Sequence, residues 1–265
     1  DIDPGVRSSV MDELRGIETR ERVKILFAVE SGSRAWGFPS PDSDYDARFV
    51  YVREPDWYLS LTPGRDVIEL PIDDLLDING WDIQKALGLL LKPNPVMLEW
   101  LSSPIRYMWQ DQLCDKLIEF SREVSHAAAC LYHYRSLAAK QWEQHVEGRD
   151  EIKLKKYLYI LRPAMVIRWI RRHPEIIPPM NFQALMAGAD LPDHVTEQLG
   201  ELLARKSKAK EIGLSAIWPD LDIFIQAELA WASEHASDFK PDSKGKMPEA
   251  NALFREIIKT AWPQY

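Results

Sequence analysis

Residues 23–52, VKILFAVESGSRAWGFPSPDSDYDARFVYV, carry the pattern that most narrows the fold. Residues 23–29 are an apolar run of strand length, Gly32 and Ser33 follow at once, and a short helix is expected over 34–38. After a Pro/Ser/Asp turn, Asp44 and Asp46 open a second apolar run, 47–52. Residues two apart on a strand point the same way, so Asp44 and Asp46 share one face while Tyr45, Ala47 and Phe49 take the other. Two carboxylates on one rigid edge repel each other unless a cation sits between them, and an oxygen-seeking divalent ion such as Mg²⁺ (or Mn²⁺) fits. Gly32 lets the backbone come close to a phosphate, and Ser33 can donate its hydroxyl. A Gly-Ser step alone is usually a turn, and Asp-x-Asp alone a solvated strand end or an Asx turn. On successive strand-like runs and in this order, they are the parts needed for metal-assisted nucleotidyl transfer.

GSRAWG followed by SDYD resembles the signature of the DNA polymerase β nucleotidyltransferase superfamily: Gly-Ser, a spacer, then Asp-x-Asp. The match runs further. ESGSRAWGFPSPDSDYDARFVYV, DINGWDIQKAL, NPVMLEWLSSPI and KKYLYILRP resemble the bacterial and phage RNA repair pathway DNA polymerase beta family, over most of residues 20–175 and more weakly beyond. The resemblance implies a nucleotidyltransferase fold and a metal-dependent activity on an NTP. Such proteins are sometimes encoded near RNA ligases, which implies RNA (tRNA or RNA ends) as a partner and an RNA ligase as a companion. It does not fix the acceptor.

At 265 residues the chain can bury a sizeable core in one or two domains. Ten Trp within 46% hydrophobic content mark it as globular. A net charge of −8 excludes a uniformly basic nucleic-acid coat but leaves room for local basic patches. Two cysteines, Cys114 and Cys130, make no disulfide framework and are expected as buried helix residues in a reduced, cytoplasmic setting. No apolar run approaches the ~18 residues of a membrane span, and no signal-peptide pattern is visible. Six His without close His or Cys partners argue against zinc.

Residues 6–22 read as an amphipathic helix behind the sheet, with Val10, Leu14 and Ile17 at i, i+4, i+7. Residues 53–64 read as a connection with one helical turn, 66–72 as a third strand, Asp73 and Asp74 as a turn, and 75–80 as a fourth strand. A helix starts at Ile83, capped by Asp82. Residues 92–105 give a turn, a helix with Asn94 as cap and Pro95 at its first position, and a stop at Pro104. Glu99 is a polar residue on that helix's otherwise apolar face. From residue 106 onward, 3.6-residue periodicity takes over, with one or two helices over 111–142, one over 151–173 kinked at Pro163, and a last one at 248–262 after a polar loop at 239–248.

Transfer chemistry of this kind expects a third carboxylate from a neighbouring strand, as general base toward the incoming hydroxyl or as a second-metal ligand. Glu69, Asp77 and Asp82 compete. Asp82 is accounted for as a cap, and Glu69 lies in an apolar strand with less context. Asp77 is chosen because it sits in a short strand just ahead of a helix, where the resemblance implies a strand Asp. Glu30 is read as structural, a brace for Arg34 or simply exposed. Arg34 reaches a phosphate or pairs with an acidic neighbour. Arg48 shares the face of Asp44 and Asp46, where a cation favours the charged carboxylates, contacts the triphosphate or forms a surface salt bridge.

Residues 149–173 reverse the local charge, with Arg149, Lys153, Lys155, Lys156, Arg162, Arg168, Arg171 and Arg172 against Asp150 and Glu151. Lys155, Tyr159 and Arg162 line up as two cations and a ring that could stack on a base. Most of these cations read as a solvated helix face. Lys156 and Arg162 are the exceptions, because the resemblance implies a Lys and an Arg in this helix to neutralise triphosphate. His133 and Tyr134 line the same cleft or pack between helices, and ARKSKAK at 204–210 reads as surface.

The expected architecture is an α/β (α+β) nucleotidyltransferase core with a small mixed sheet, residues 1–108, followed by a mainly helical substrate-binding domain, 109–265. The expected reaction moves an NMP from an NTP to an acceptor hydroxyl, with an RNA end as acceptor. Asp44, Asp46 and Asp77 hold the metal and supply the base; Gly32, Ser33, Arg34, Arg48, Lys156 and Arg162 contact phosphates. A protein or small-molecule acceptor, as in antitoxin-like and antibiotic-modifying enzymes, and a non-catalytic nucleotide or RNA sensor are the alternatives. The intact Gly32, Ser33, Asp44 and Asp46 count against the sensor.

Overall fold

The apolar runs flanking the Gly-Ser turn form the two central strands of a five-stranded mixed sheet. In the computed structural model, which describes residues 2–62, 64–71, 75–124, 126–208, 214–239 and 245–265, the elements follow in chain order. They are α1 (Pro4–Glu21), β1 (Val23–Glu30), α2 (Gly32–Trp36), β2 (Tyr45–Arg53), α3 (Pro55–Tyr58), β3 (Val67–Glu69), β4 (Leu76–Asp82), α4 (Ile83–Leu91), α5 (Pro95–Leu101), β5 (Arg106–Trp109) and α6 (Asp111–Arg122). Then come α7 (Ala127–His145), β6 (Glu151–Lys153), α8 (Leu154–Arg172), α9 (Phe182–Gly188), α10 (Asp193–Lys208), β7 (Leu214–Ala216), α11 (Pro219–His235) and α12 (Met247–Ala261).

By contacts the chain divides into two units. The first comprises Asp1–Gly32, Asp44–Val124 and Asp242–Tyr265. Its sheet has the order β3-β4-β2-β1-β5, with β2 and β4 parallel and the other neighbours antiparallel. Asp3 caps α1 through Oδ1, accepting from the amides of Gly5 and Val6, and Pro4 fits the first turn, where its missing N–H costs nothing. Val10, Leu14 and Ile17 then bury one stripe of α1 against Val23, Ile25, Ala47, Phe49 and Ile78. Burial of this kind contributes up to roughly 1.5–3 kcal/mol per large side chain. Gly80 pairs in register with Phe49, and a Cβ there would fall 2.3 Å from the Phe49 ring, so this position holds no side chain. The carboxylate of Asp82 caps α4 through the Gln84 amide at 2.8 Å, and Asn94 caps α5 through the amides of Val96 and Met97.

The second unit comprises Ser33–Ser43 and Ser125–Pro241. α8 is its centre, packed by α7, α9, α10 and α11, and most of its residues are buried, including Pro163. β6 and β7 form a two-stranded antiparallel ribbon.

Several expectations change. The boundary expected near residue 108 falls inside the first unit, because α6 packs on β1 and α5, and α12, from the far end of the chain, packs on α4, β2 and α6. The short helix expected at 34–38 begins at Gly32. The third strand is Val67–Glu69 rather than 66–72. RYMW, read as the start of the helical region, is the edge strand β5; four residues are too few to show a period. EIK, read as the first turn of a helix, is β6, whose partner lies far along the chain. The turn read at Asp73 and Asp74 lies outside the described residues, as do much of the loop at 239–248 and the last two residues of ARKSKAK.

Candidate active site

The site grows from the ends of β1, β2 and β4 in the first unit. Parallel pairing puts Asp46 of β2 directly opposite Asp77 of β4, and residues paired this way face the same side. Arg48, two residues along β2, turns its guanidinium back onto both. Its Nη2 donates to Asp46 Oδ1 at 2.9 Å and to Asp77 Oδ2 at 2.6 Å, and its Nη1 donates to the Asp77 carbonyl at 2.7 Å. The three side chains are 14–24% exposed, so this ion-paired cluster is screened by water only in part.

Gly32 closes the cluster from the end of β1. Its φ of +61° suits glycine, and a Cβ on it would lie 2.1 Å from Asp46 Oδ2. The position therefore needs glycine twice over, for its backbone and for the carboxylate that fills the space. Glu30 fixes the other side of Asp46. It is fully buried and divides its two oxygens, accepting the Asp46 amide at 3.0 Å and the Tyr107 hydroxyl. Burial and the Glu30 carboxylate push the Tyr107 hydroxyl well above its usual range, keeping it a donor. The amide of Ser31 donates to the Asp46 carbonyl at 2.8 Å. The exposed alternative for Glu30 is thus corrected. Its position at the end of an apolar run was visible in the sequence, but its partner Tyr107 on β5 was not.

Asp44 lies one residue ahead of β2 and is exposed. Asp82 is held away from this cluster by its cap and by the Tyr58 hydroxyl, which donates at 2.8 Å; burial raises its carboxyl from 3.8 to about 6. Glu69 is exposed on β3, opposite Asn79 of β4, and pairs with Arg65. Of the three competing carboxylates, only Asp77 sits beside Asp46.

In the second unit, the Ser33 hydroxyl is buried and donates to Ser43 Oγ at 3.1 Å, and Ser43 Oγ also meets Ser40. Arg34 donates to the Ser43 carbonyl. Arg162 is buried, donates through Nε and Nη2 to the Met180 carbonyl, and lies over the Trp36 ring at 4.6 Å. Tyr159 packs edge-on against Trp36 at 5.5 Å. His133 meets the ring of the buried Tyr134 edge-on at 5.1 Å. Arg168 and Arg171 pair with Glu228, and Arg172 pairs with Asp190, where a solvated face was expected. Lys156 is set apart from Arg162 and lines a recess with His145, Arg149 and Lys153. Cys114 and Cys130 are buried, and burial pushes the Cys114 thiol up to about 12.

Among the described residues, no three His, Cys, Asp or Glu side chains gather in one place to hold a metal ion. Asp46 and Asp77 do converge, however, on a single cationic atom, Arg48 Nη2. That nitrogen stands where two carboxylate oxygens from adjacent strands accept one positive charge. With the arginine withdrawn, the same all-oxygen pair suits a hard divalent ion.

A mixed sheet with carboxylates on adjacent parallel strands, beside a glycine turn that opens a helix, is the architecture of a nucleotidyltransferase. The RNA repair pathway DNA polymerase beta family matches residues 6–256, and the chain belongs to that family. It is 41% identical over 257 residues to the uncharacterized protein YcgL of Bacillus subtilis (strain 168), covering 97% of this chain and 98% of that protein. A crystal structure of a nucleotidyltransferase-like protein from Exiguobacterium sibiricum 255-15, at 1.90 Å resolution, aligns with 95% of this chain and 80% of its own length, at 13% identity and a TM-score of 0.31. No helix among the described residues is long and apolar enough to cross a membrane.

Proposed function

We propose that this nucleotidyltransferase moves an NMP from an NTP to a hydroxyl at an RNA end, with Asp46 and Asp77 at the centre of the chemistry. The observation that carries the reading is the convergence of these two carboxylates on one cationic position beside Gly32. Asp46 and Asp77, joined by Asp44 ahead of β2, would hold Mg²⁺ or Mn²⁺. Bound there, the ion supplies charge stabilisation for the phosphoryl oxygens.

The chain's own residues do the rest. Glu30 and the Ser31 amide fix the backbone of Asp46 and so aim its carboxylate. Gly32 leaves the space that the carboxylate occupies. Arg48 offsets one of the pair's two negative charges before the substrate arrives and is then available to an NTP phosphate. The Asp77 carboxylate takes the proton of the attacking hydroxyl, an oxygen–phosphorus bond forms at the α-phosphate, the bond to the β-phosphate breaks, and pyrophosphate leaves. Phosphate contacts by Ser33, Arg34, Lys156 and Arg162 rest on the family resemblance. For Ser33, Arg34 and Arg162 they require exchange of the hydrogen bonds described above. Family membership supports RNA as the partner, and a reduced, cytoplasmic setting alongside an RNA ligase belongs to the same reading.

The test is incubation with each α-labelled NTP and Mg²⁺, separately with tRNA, nicked RNA, total protein or no acceptor. Label entering RNA with the wild type, and none with Asp46→Asn or Asp77→Asn, is the expected outcome. Label entering protein would replace the RNA acceptor with a protein one, and equal labelling by the variants would remove these carboxylates from the chemistry.

A further inference from the structure

The second unit holds a concentration of positive charge from which the transfer reading draws Lys156 alone. A recess of about 240 Å³ lies where the end of α7, the β6–β7 ribbon and the start of α8 meet, and His145, Arg149, Lys153 and Lys156 line it. Among the described residues, Glu151 is the one carboxylate in its wall. Burial, followed by the charges of Lys156, Arg149 and Lys153, lowers the pKa of His145, so all three cations lie near enough to act on its ring. Like charges gathered around one recess favour an anion between them.

The contrast within α8 points to a ligand. Arg168, Arg171 and Arg172 near its other end are matched to Glu228 and Asp190. Among the described residues, Arg149, Lys153 and Lys156 make no ion pair. In a chain of net charge −8, three cations left unmatched around one cavity form a local anion site. The volume admits one phosphate group with its sugar and excludes a duplex. Cations in a recess of this size read a phosphate that protrudes from a strand better than one in the middle of a backbone.

We infer that this recess binds the terminal phosphate of an RNA strand. The inference rests on the reading of the protein as one that acts on RNA ends, and it adds what such an end carries.

The test measures binding rather than transfer. Fluorescence anisotropy would compare one labelled single-stranded RNA oligonucleotide with a 5′-phosphate, a 3′-phosphate or hydroxyls at both ends, with inorganic phosphate as competitor. The wild type is expected to bind one phosphorylated form at least tenfold more tightly than the hydroxyl form, and phosphate should erode that difference. Arg149→Gln/Lys153→Gln, both exposed positions, should abolish the preference, and so should Lys156→Gln. Asp46→Asn should retain it, which separates this site from the transfer chemistry: a protein that prefers phosphorylated ends but transfers nothing keeps the inference and loses the transfer reading. Equal binding of the three oligonucleotides, or an undiminished preference in both the double variant and Lys156→Gln, would overturn it.

Discussion

Gly32 shows how little freedom one position in this site has. Its φ of +61° and the Asp46 oxygen 2.1 Å from any added Cβ make even a methyl group intolerable. Gly32→Ala is predicted to lower the melting temperature and to cut transfer on the order of 100-fold by moving Asp46, a loss typical of a catalytic group displaced by about 1 Å. Unchanged transfer would show that Asp46 does not need its present place. Asp82 gives a pH-dependent prediction. Burial raises its carboxyl from 3.8 to about 6, so between those values the folded chain holds a proton that the unfolded chain has released. Its contribution to stability is therefore largest at low pH and declines as pH rises through about 6. Asp82→Asn keeps a capping oxygen and cannot titrate. On going from pH 7 to pH 5, thermal unfolding should shift in favour of the wild type relative to this variant, on the order of 1–2 kcal/mol. A difference that stays constant over that range would contradict the raised value.

The strand pair β1–β2 was the most legible part of the sequence, because two long apolar runs and the alternation of Asp44, Asp46 and Arg48 with Tyr45, Ala47 and Phe49 leave little choice of period or face. α1, α4 and α5 were legible for local reasons too, through Val10, Leu14 and Ile17 and through the caps Asp82 and Asn94. β5 and β6 were not, since strands of four and three residues acquire their identity from partners distant in sequence. β5 matters to the site because it brings Tyr107 to Glu30 and thereby fixes the strand end that carries Asp46. Glu30→Ala is predicted to cost about 1–3 kcal/mol and to lower kcat, since it leaves the Asp46 amide and the Tyr107 hydroxyl without an acceptor. Glu30→Gln should restore most of both, its carbonyl accepting the amide and its NH₂ donating to the tyrosine. A kcat that survives the alanine change would leave Glu30 with a purely structural role.

Across the chain, charge is distributed against the average. The protein is acidic, yet one recess gathers Arg149, Lys153 and Lys156, which make no ion pair among the described residues, while the site in the first unit gathers carboxylates around a single arginine. Composition excluded a uniformly basic coat but could not locate these reversals. Lys156 and Arg162 illustrate the limit. Six residues apart on one basic helix, they read alike in sequence, but Arg162 is buried against Met180 and Trp36 while Lys156 lines the recess. The return of α12 to the first unit was likewise invisible, because its amphipathic pattern says that it packs without saying on what.

Binding of Mn²⁺ in the presence of ATP, followed by electron paramagnetic resonance, would probe the carboxylate pair without requiring an acceptor. Asp46→Asn and Asp77→Asn should each weaken Mn²⁺ binding at least tenfold, and Asp82→Asn, away from the pair, should leave it unchanged. Wild-type affinity in both the Asp46 and Asp77 variants would mean that these two carboxylates do not hold the metal.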